Sequence, residues 1–156
     1  MIPLSPLQLK QHFFTEFSVK AFEKGSQKAE IVMEPAIACG RDPKLPNHWR
    51  LVLEFKLKSA DPEKPFLYEA EAAILGLIEV NSGYPEEKRE QLAFVNGLSL
   101  LYSALREMLL TVTGRCAQGA LCLPTLNFAD LFAGWSAENK TKETRFEHGH
   151  AEAAKK

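Results

Sequence analysis

The side chains best suited to nucleophilic or metal chemistry in this chain are three cysteines, Cys39, Cys116 and Cys122, and two histidines, His148 and His150. Neither set has the spacing its chemistry needs. Zinc sites and redox dithiols use cysteines a few residues apart, whereas these three form no CxxC pair, and their odd number argues against a disulfide framework. They read as reduced, small apolar side chains. His148 and His150 flank Gly149 in a polar tail with no acidic or thiolate partner at metal-ligand spacing, so no metal is expected there. No hydroxyl or thiol nucleophile is paired with a base, and no glycine-rich loop is built for phosphate. The expectation is no catalytic residue, no nucleotide and no cofactor.

What remains is the chemistry of apolar contact. From Cys116 to Phe132 the chain reads Cys-Ala-Gln-Gly-Ala-Leu-Cys-Leu-Pro-Thr-Leu-Asn-Phe-Ala-Asp-Leu-Phe, too apolar for a solvated connection. Leu121, Leu123 and Leu126 are therefore expected to wall a hydrophobic groove, with Phe128 at the start of a following helix and Ile31 and Met33 on the second strand. A longer helix is expected from about Glu86 to Thr113. Its apolar residues fall in two series, one through Leu92, Val95, Leu98, Tyr102, Leu105, Leu109 and Val112, the other through Phe94, Leu101 and Met108. One sheet covers one face. The surplus is expected to meet further copies of the chain at Phe94, Leu101, Leu105 and Met108.

The elements that must position these residues follow from periodicity. Phe13, Thr15, Phe17 and Val19 alternate with Glu16, Ser18 and Lys20 in a first strand spanning residues 12 to 20. A second strand from Lys28 to Ile37 points Ala29, Ile31 and Met33 inward, and Pro35 marks it as an edge or a bulge. The third is the clearest, with Trp49, Leu51, Leu53, Phe55 and Leu57 alternating with Arg50, Val52, Glu54, Lys56 and Lys58, the pattern of an antiparallel strand with one wet face. A fourth begins at Phe66 and places Tyr68, Ala70, Ala72 and Ile74 on one side and Glu69 and Glu71 on the other. Pro85, Glu86 and Glu87 suit the first turn of the long helix, and Gly114 ends it. A short second helix begins near Asn127 or Phe128 and presents Leu131, Phe132 and Trp135. The fold class is α+β: a four-stranded antiparallel sheet followed by one long and one short helix.

At 156 residues the chain suits one domain, expected over residues 1–136, with a polar and disordered tail over 137–156. Nineteen basic and 20 acidic side chains give a net charge of -1, which excludes a general attraction to nucleic acid or anionic lipid. No secretory leader is read at the N-terminus, and the chain is expected to stay in the cytoplasm. Asn96, Ser99, Ser103, Arg106 and Glu107 in the long helix argue against membrane insertion.

On these residues the chain resembles the SecB family of bacterial protein-export chaperones. The resemblance is carried by Arg106-Glu107, the helix-ending Gly114-Arg115, Leu121-x-Leu123 and Asn127-Phe128-x-x-Leu131-Phe132, with Phe66-Leu67-x-Glu69 in the fourth strand, over roughly residues 8 to 136. It implies a dimer of dimers and an ATP-independent holdase that keeps unfolded precursors soluble and hands them to the translocase motor SecA. It also implies a motor-docking surface on the outer sheet face, matched here by Glu16, Leu67 and Glu69. Lys20 departs from that pattern where an acid is expected, and the tail carries lysines. The resemblance therefore extends to a divergent member serving another client, such as an antitoxin. From a different class, hot-dog thioesterases also pack a long apolar helix on an antiparallel sheet, but there the helix follows the first strand or hairpin, and here it follows all four with no His near Glu90.

Overall fold

A computed structural model describes residues 1–138 of the chain. It consists of two compact units, Met1–Thr125 and a second that starts at Leu126. The first unit is the α+β layer pair expected from periodicity. Four antiparallel strands, β1 (Leu7–Ala21), β2 (Ile31–Arg41), β3 (His48–Ser59) and β4 (Tyr68–Val80), precede a 28-residue helix, α1 (Glu86–Thr113). The strands lie in the order β1-β4-β3-β2, so β4 and β3 are central and β1 and β2 are edges.

The two central strands follow the alternation in the sequence. Trp49, Leu51, Leu53, Phe55 and Leu57 of β3 and Tyr68, Ala70, Ala72, Ile74, Ile78 and Val80 of β4 are all buried, while Arg50, Glu54, Lys56, Lys58 and Glu71 stand outward. Lys56 meets Glu71 across the ladder at 3.7 Å, whereas Lys58 turns to Glu34 of β2 at 2.8 Å. β2 starts three residues later than expected, because Ser26 to Ala29 closes a turn, and it runs on to Arg41. Pro35 lies mid-strand, and β2 pairs only with β3, which is the edge position its missing N–H requires.

β1 departs from simple alternation. It starts at Leu7 and carries two register shifts, between Leu9 and Gln11 and between Phe14 and Glu16. An extra residue in one strand reverses the facing of those that follow. Between the shifts Phe14, opposite Ile74, turns inward and Phe13, opposite Leu75, turns outward, so the expected inward placement of Phe13 is corrected. Phe17 and Val19 point inward as expected. The Phe14 and Phe17 rings meet edge to face at 5.5 Å between centroids, as side chains on one face should.

α1 packs on β4, β1 and β3. Small residues set its height. Ala70, Ala72 and Gly76 line the inner side of β4, and a Cβ on Gly76 would lie 2.8 Å from Leu101 Cδ2. On the helix, a Cβ at Gly97 would press into Ile78 Cδ1 and Leu51 Cδ1, well inside van der Waals contact. The N-terminus of α1 is pinned by Arg89, which donates to the carbonyl oxygens of Tyr84 and Ser82 and to Asn47 Oδ1, and pairs with Glu86. Pro85 is the residue before the helix rather than its first turn. Gly114 ends α1 in right-handed geometry (φ −60), so the stop does not draw on glycine's conformational freedom. It comes instead from the tightening bonds Arg115 N–H to Val112 O and Cys116 N–H to Thr113 O.

The second unit contains α2, residues 128–138, where description ends. Asn127 caps it, accepting from the Ala129 N–H through Oδ1 at 3.1 Å and donating to Asp130 at 2.7 Å. The helix thus runs past Trp135, while residues 139–156, with His148 and His150, lie outside the described residues.

Because Gly97 faces two fully buried side chains, Gly97→Val should overpack this contact and cost about 1–3 kcal/mol. The expected result is a lower urea midpoint with an unchanged slope. An unchanged midpoint would mean that α1 does not approach the sheet this closely.

Candidate functional site

No three or more His, Cys, Asp or Glu side chains group at metal-binding distance among the described residues. The structure sorts the expected residues into covered and open ones. Phe94, Leu101 and Leu105 of α1 are fully buried. Both apolar series of the helix merge into one broad stripe from Phe94 through Leu98, Leu101, Tyr102, Leu105 and Leu109, and the curved sheet takes it up. Those three residues are core, which corrects their assignment to an oligomer contact. Met108 remains accessible at 37%, and sequence reasoning passed over Leu100 and Leu110, which stand on the back of the helix at 43% and 37%.

The loop after α1 is also more ordered than an open groove wall. Thr113 Oγ1 donates to Leu109 O at 2.6 Å and accepts from the Leu121 N–H at 2.7 Å, stitching the loop to the helix end. The buried Tyr68 hydroxyl donates to Gly119 O at 2.5 Å, Tyr102 donates to Pro124 O at 2.8 Å, and Gln118 Nε2 donates to Phe22 O at 3.1 Å. Burial raises the pKa of Tyr68, which keeps this hydroxyl a donor. Leu121 and Leu123 are consequently buried, at 8% and 2%, and their expected role as open contacts is corrected. In the second unit Leu126 is half-buried and Phe128 is buried.

The open apolar surface lies on β2. Its odd-numbered residues, Ile31, Met33, Pro35, Ile37 and Cys39, stand opposite Ser59, Leu57, Phe55, Leu53 and Leu51, and so point to the helix side of the sheet. α1 lies over the other three strands. Ile31 and Pro35 are exposed and Met33, Ile37 and Cys39 are half-buried, which makes an apolar strip along the sheet edge. Ile31 and Met33 face the helix side, the inward facing expected of them. Cys39 was missed because the strand was expected to stop at Ile37, and Ile37, inside the expected strand, was not named among its inward residues, although the every-second-residue pattern continues through both. At the end of the strip, burial first and the nearby Glu90 carboxylate second push the Cys39 thiol up to about 12.

Outer-face residues are arranged differently. Glu16 stands opposite Ala73 and Glu69 opposite Lys20, four register positions apart, and Leu67 precedes β4. Lys20 places its ammonium over the Phe22 ring at 4.7 Å. Glu16, Leu67 and Glu69 are therefore spread along the sheet end, with a cation directly opposite Glu69. Arg106 and Glu107 are not paired with each other among the described residues: Arg106 reaches the Cys122 sulfur at 3.9 Å and Glu107 accepts from Thr111.

No protein-family model matches the chain. No curated protein matches it either. Among solved structures it is similar to the Mycobacterium tuberculosis SecB-like chaperone Rv1957, in complex with a ChAD peptide from the Rv1956 HigA1 antitoxin. That likeness has a TM-score of 0.59 at 19% identity and covers 78% of this chain and 91% of that one. The chain has a SecB-like fold. A protein of unknown function from Streptococcus agalactiae, 14% identical, overlaps 76% of this chain and 97% of that one at a TM-score of 0.41. The SecB-like fold fits the order of four antiparallel strands followed by helix. No helix among the described residues is long and apolar enough to cross a membrane.

The Cys39 environment gives a direct check on the strip. At pH 9 a thiol with a pKa of about 12 is ionised in roughly one molecule in a thousand, so Cys39 should resist iodoacetamide in the native protein while the exposed Cys122 is modified. The raised value means that the folded state holds its proton longer. This contribution to stability is present below the usual thiol value of 9.0 and declines as pH rises from there toward 12. Alkylation at equal rates would show that the Cys39 thiol is not shielded as its half-buried position requires.

Proposed function

We propose that this chain is an ATP-independent chaperone, a holdase that binds unfolded or precursor polypeptides and is not an enzyme. One observation carries the reading: on a SecB-like fold, the β2 edge presents an apolar strip of Ile31, Met33, Pro35, Ile37 and Cys39 to the side of α1. Unfolded chains expose apolar side chains that such a strip buries with little demand on sequence. The client contacts are assigned to Ile31 and Met33, joined by Ile37. The hot-dog alternative loses support, since α1 follows all four strands and the similar solved structure is a chaperone.

Two features favour a dedicated client over general export. The similar chaperone holds an antitoxin peptide, and Lys20 stands opposite Glu69 where docking of the motor SecA calls for acidic charge. A SecB-like chaperone devoted to one partner, such as an antitoxin, is the second reading, and a motor contact through Glu16, Leu67 and Glu69 belongs to the first. In either, the chain works in the cytoplasm as a homo-oligomer. Leu100, Met108 and Leu110 provide apolar surface on the back of α1 for a dimer of dimers.

Suppression of aggregation of an unrelated denatured protein, with and without ATP and chelator, tests the activity. It should proceed equally in all conditions. Replacing Ile31 and Met33 together by Glu removes about 2–5 kcal/mol of available apolar burial, so affinity should fall at least tenfold with the melting temperature unchanged. Full activity in the double variant would put the contacts elsewhere, and absence of any holdase activity would sink the proposal. Separately, Leu100→Glu with Met108→Glu should halve the mass seen by light scattering. A native monomer at micromolar concentration would defeat the oligomer assignment.

A further inference from the structure

The first unit carries an apolar arm and an uncharged groove that border each other. Met1, Ile2 and Leu4 stand out from the chain at 123%, 90% and 86% exposure, well above its other exposed large apolar side chains. A single surface leucine is ordinary, but three such residues within four form a continuous open segment. The arm is fixed at its base, where Asn81 N–H donates to Pro6 O and Gln8 Nε2 donates to Ser5 O, both at 2.8 Å. Pro3 and Pro6 restrict Ile2 and Ser5 to extended backbone, so the arm has little conformational freedom to lose on docking. Leu4 rims a hollow of about 300 Å³ with Asn47, Glu79 and Asn81, but that lining is polar and carries a carboxylate.

The groove lies between the start of β1 and the back of α1. It has a volume of about 530 Å³, with Leu7 and Leu9 on the strand side and Asn96, Ser99, Leu100 and Ser103 on the helix side. The helix residues recur at three- and four-residue spacing and form one stripe. Ser99 and Ser103 turn their hydroxyls back to Val95 O and Ser99 O, both at 2.7 Å, and so make no demand on an occupant. No charged side chain lines the groove, and none occurs between Met1 and Leu9. A charged segment would lose its hydration there without a counter-ion, whereas this arm would not.

The groove is not filled by its own arm, since Ile2 and Leu4 remain exposed. Ser5 is both the base of the arm and part of the groove wall. Two copies related by a two-fold axis passing beside Ser5 therefore lay each arm on the other's groove, in a contact that closes on itself. Leu100, already assigned to contact between copies, stands in the groove, so the two surfaces are continuous. Resting on the homo-oligomer assignment, we infer that the copies clasp each other by exchanging arms: Ile2 and Leu4 of one copy seat between β1 and α1 of the other, beside Leu9 and Leu100.

The test co-expresses two single variants of the full-length protein, Leu4→Cys and Ser99→Cys, so that a disulfide between these positions can only join two copies. Mild oxidation should produce that bridge, identified by peptide mass mapping. Leu45→Cys, at an exposed leucine outside the groove, should give at least about tenfold less bridge to Ser99→Cys. Replacing Ile2 and Leu4 together by Ser should raise the dissociation constant between copies at least about tenfold with the circular dichroism unchanged, while Ile2→Val with Leu4→Ile stays close to the parent. An oligomer that forms no such bridge, or a double Ser variant that associates as tightly as the parent, would overturn arm exchange and leave the oligomer standing. A chain carrying both cysteines that bridges within itself would overturn it too, the arm then filling its own groove. A native monomer at micromolar concentration would remove the oligomer assignment along with it.

Discussion

A helix is about one strand-pair wide, and on this sheet it is held in one place by small residues. Gly76, Ala70 and Ala72 on β4 and Gly97 on α1 let helix and sheet approach closely, with Leu101 seated over Gly76 and Ile78 and Leu51 against Gly97. Shifting α1 sideways would exchange this fit for the bulkier rows of β3 and open voids that a close-packed core does not tolerate. Centred on β4, the helix reaches β1 and β3 on either side. The odd-numbered row of β2 is what this placement leaves at the margin. The apolar strip is thus a consequence of where the glycines and alanines fall on β4.

The same logic explains why the hydrophobic loop after α1 is not itself the open surface. Thr113 lies in the last turn, fully buried, and its hydroxyl both donates to Leu109 O and accepts from the Leu121 N–H. Tyr68, at the start of β4, reaches Gly119 from below. Buried polar groups such as these require partners, and satisfying them fixes the path of the backbone. The path then buries Leu121 and Leu123. Apolar composition in a connection marks burial; whether the cover is the chain itself or a partner depends on these hydrogen bonds.

Legibility of the sequence followed the same division. β3 and α1 could be read almost to the residue, because β3 alternates without interruption and α1 has proline before it and glycine after it. β1 could not, since nothing in Leu7 to Phe17 announces that Lys10 and Thr15 each add an extra residue, and between them the facing of Phe13 and Phe14 reverses. The helix illustrates a different limit. Counting apolar residues around α1 overstated its surplus, because Phe94, Leu101 and Leu105 share one stripe with Leu98 and Leu109 and a twisted sheet covers a stripe of that width. On β2, Ile31 and Met33 were legible as inward-facing, but that α1 leaves them open depends on the small residues of β4, and these act through distance rather than through pattern.

Fold likeness at 19% identity carries architecture, and the chemistry of partners has to come from the surface. On the outer face charge is balanced: Lys20 stands opposite Glu69 in the ladder, and Lys56–Glu71 and Lys58–Glu34 form ion pairs. Exposed pairs like these contribute little stability, so the fold alone does not require them. Their effect is on long-range attraction, which a balanced face does not exert on a charged partner. The β2 strip shows the opposite economy. Its residues Ile31, Met33, Pro35, Ile37 and Cys39 carry no charge. Affinity from apolar contacts is only weakly selective. On the chaperone reading, such a strip separates unfolded from folded chains, since a folded protein has already buried its apolar residues.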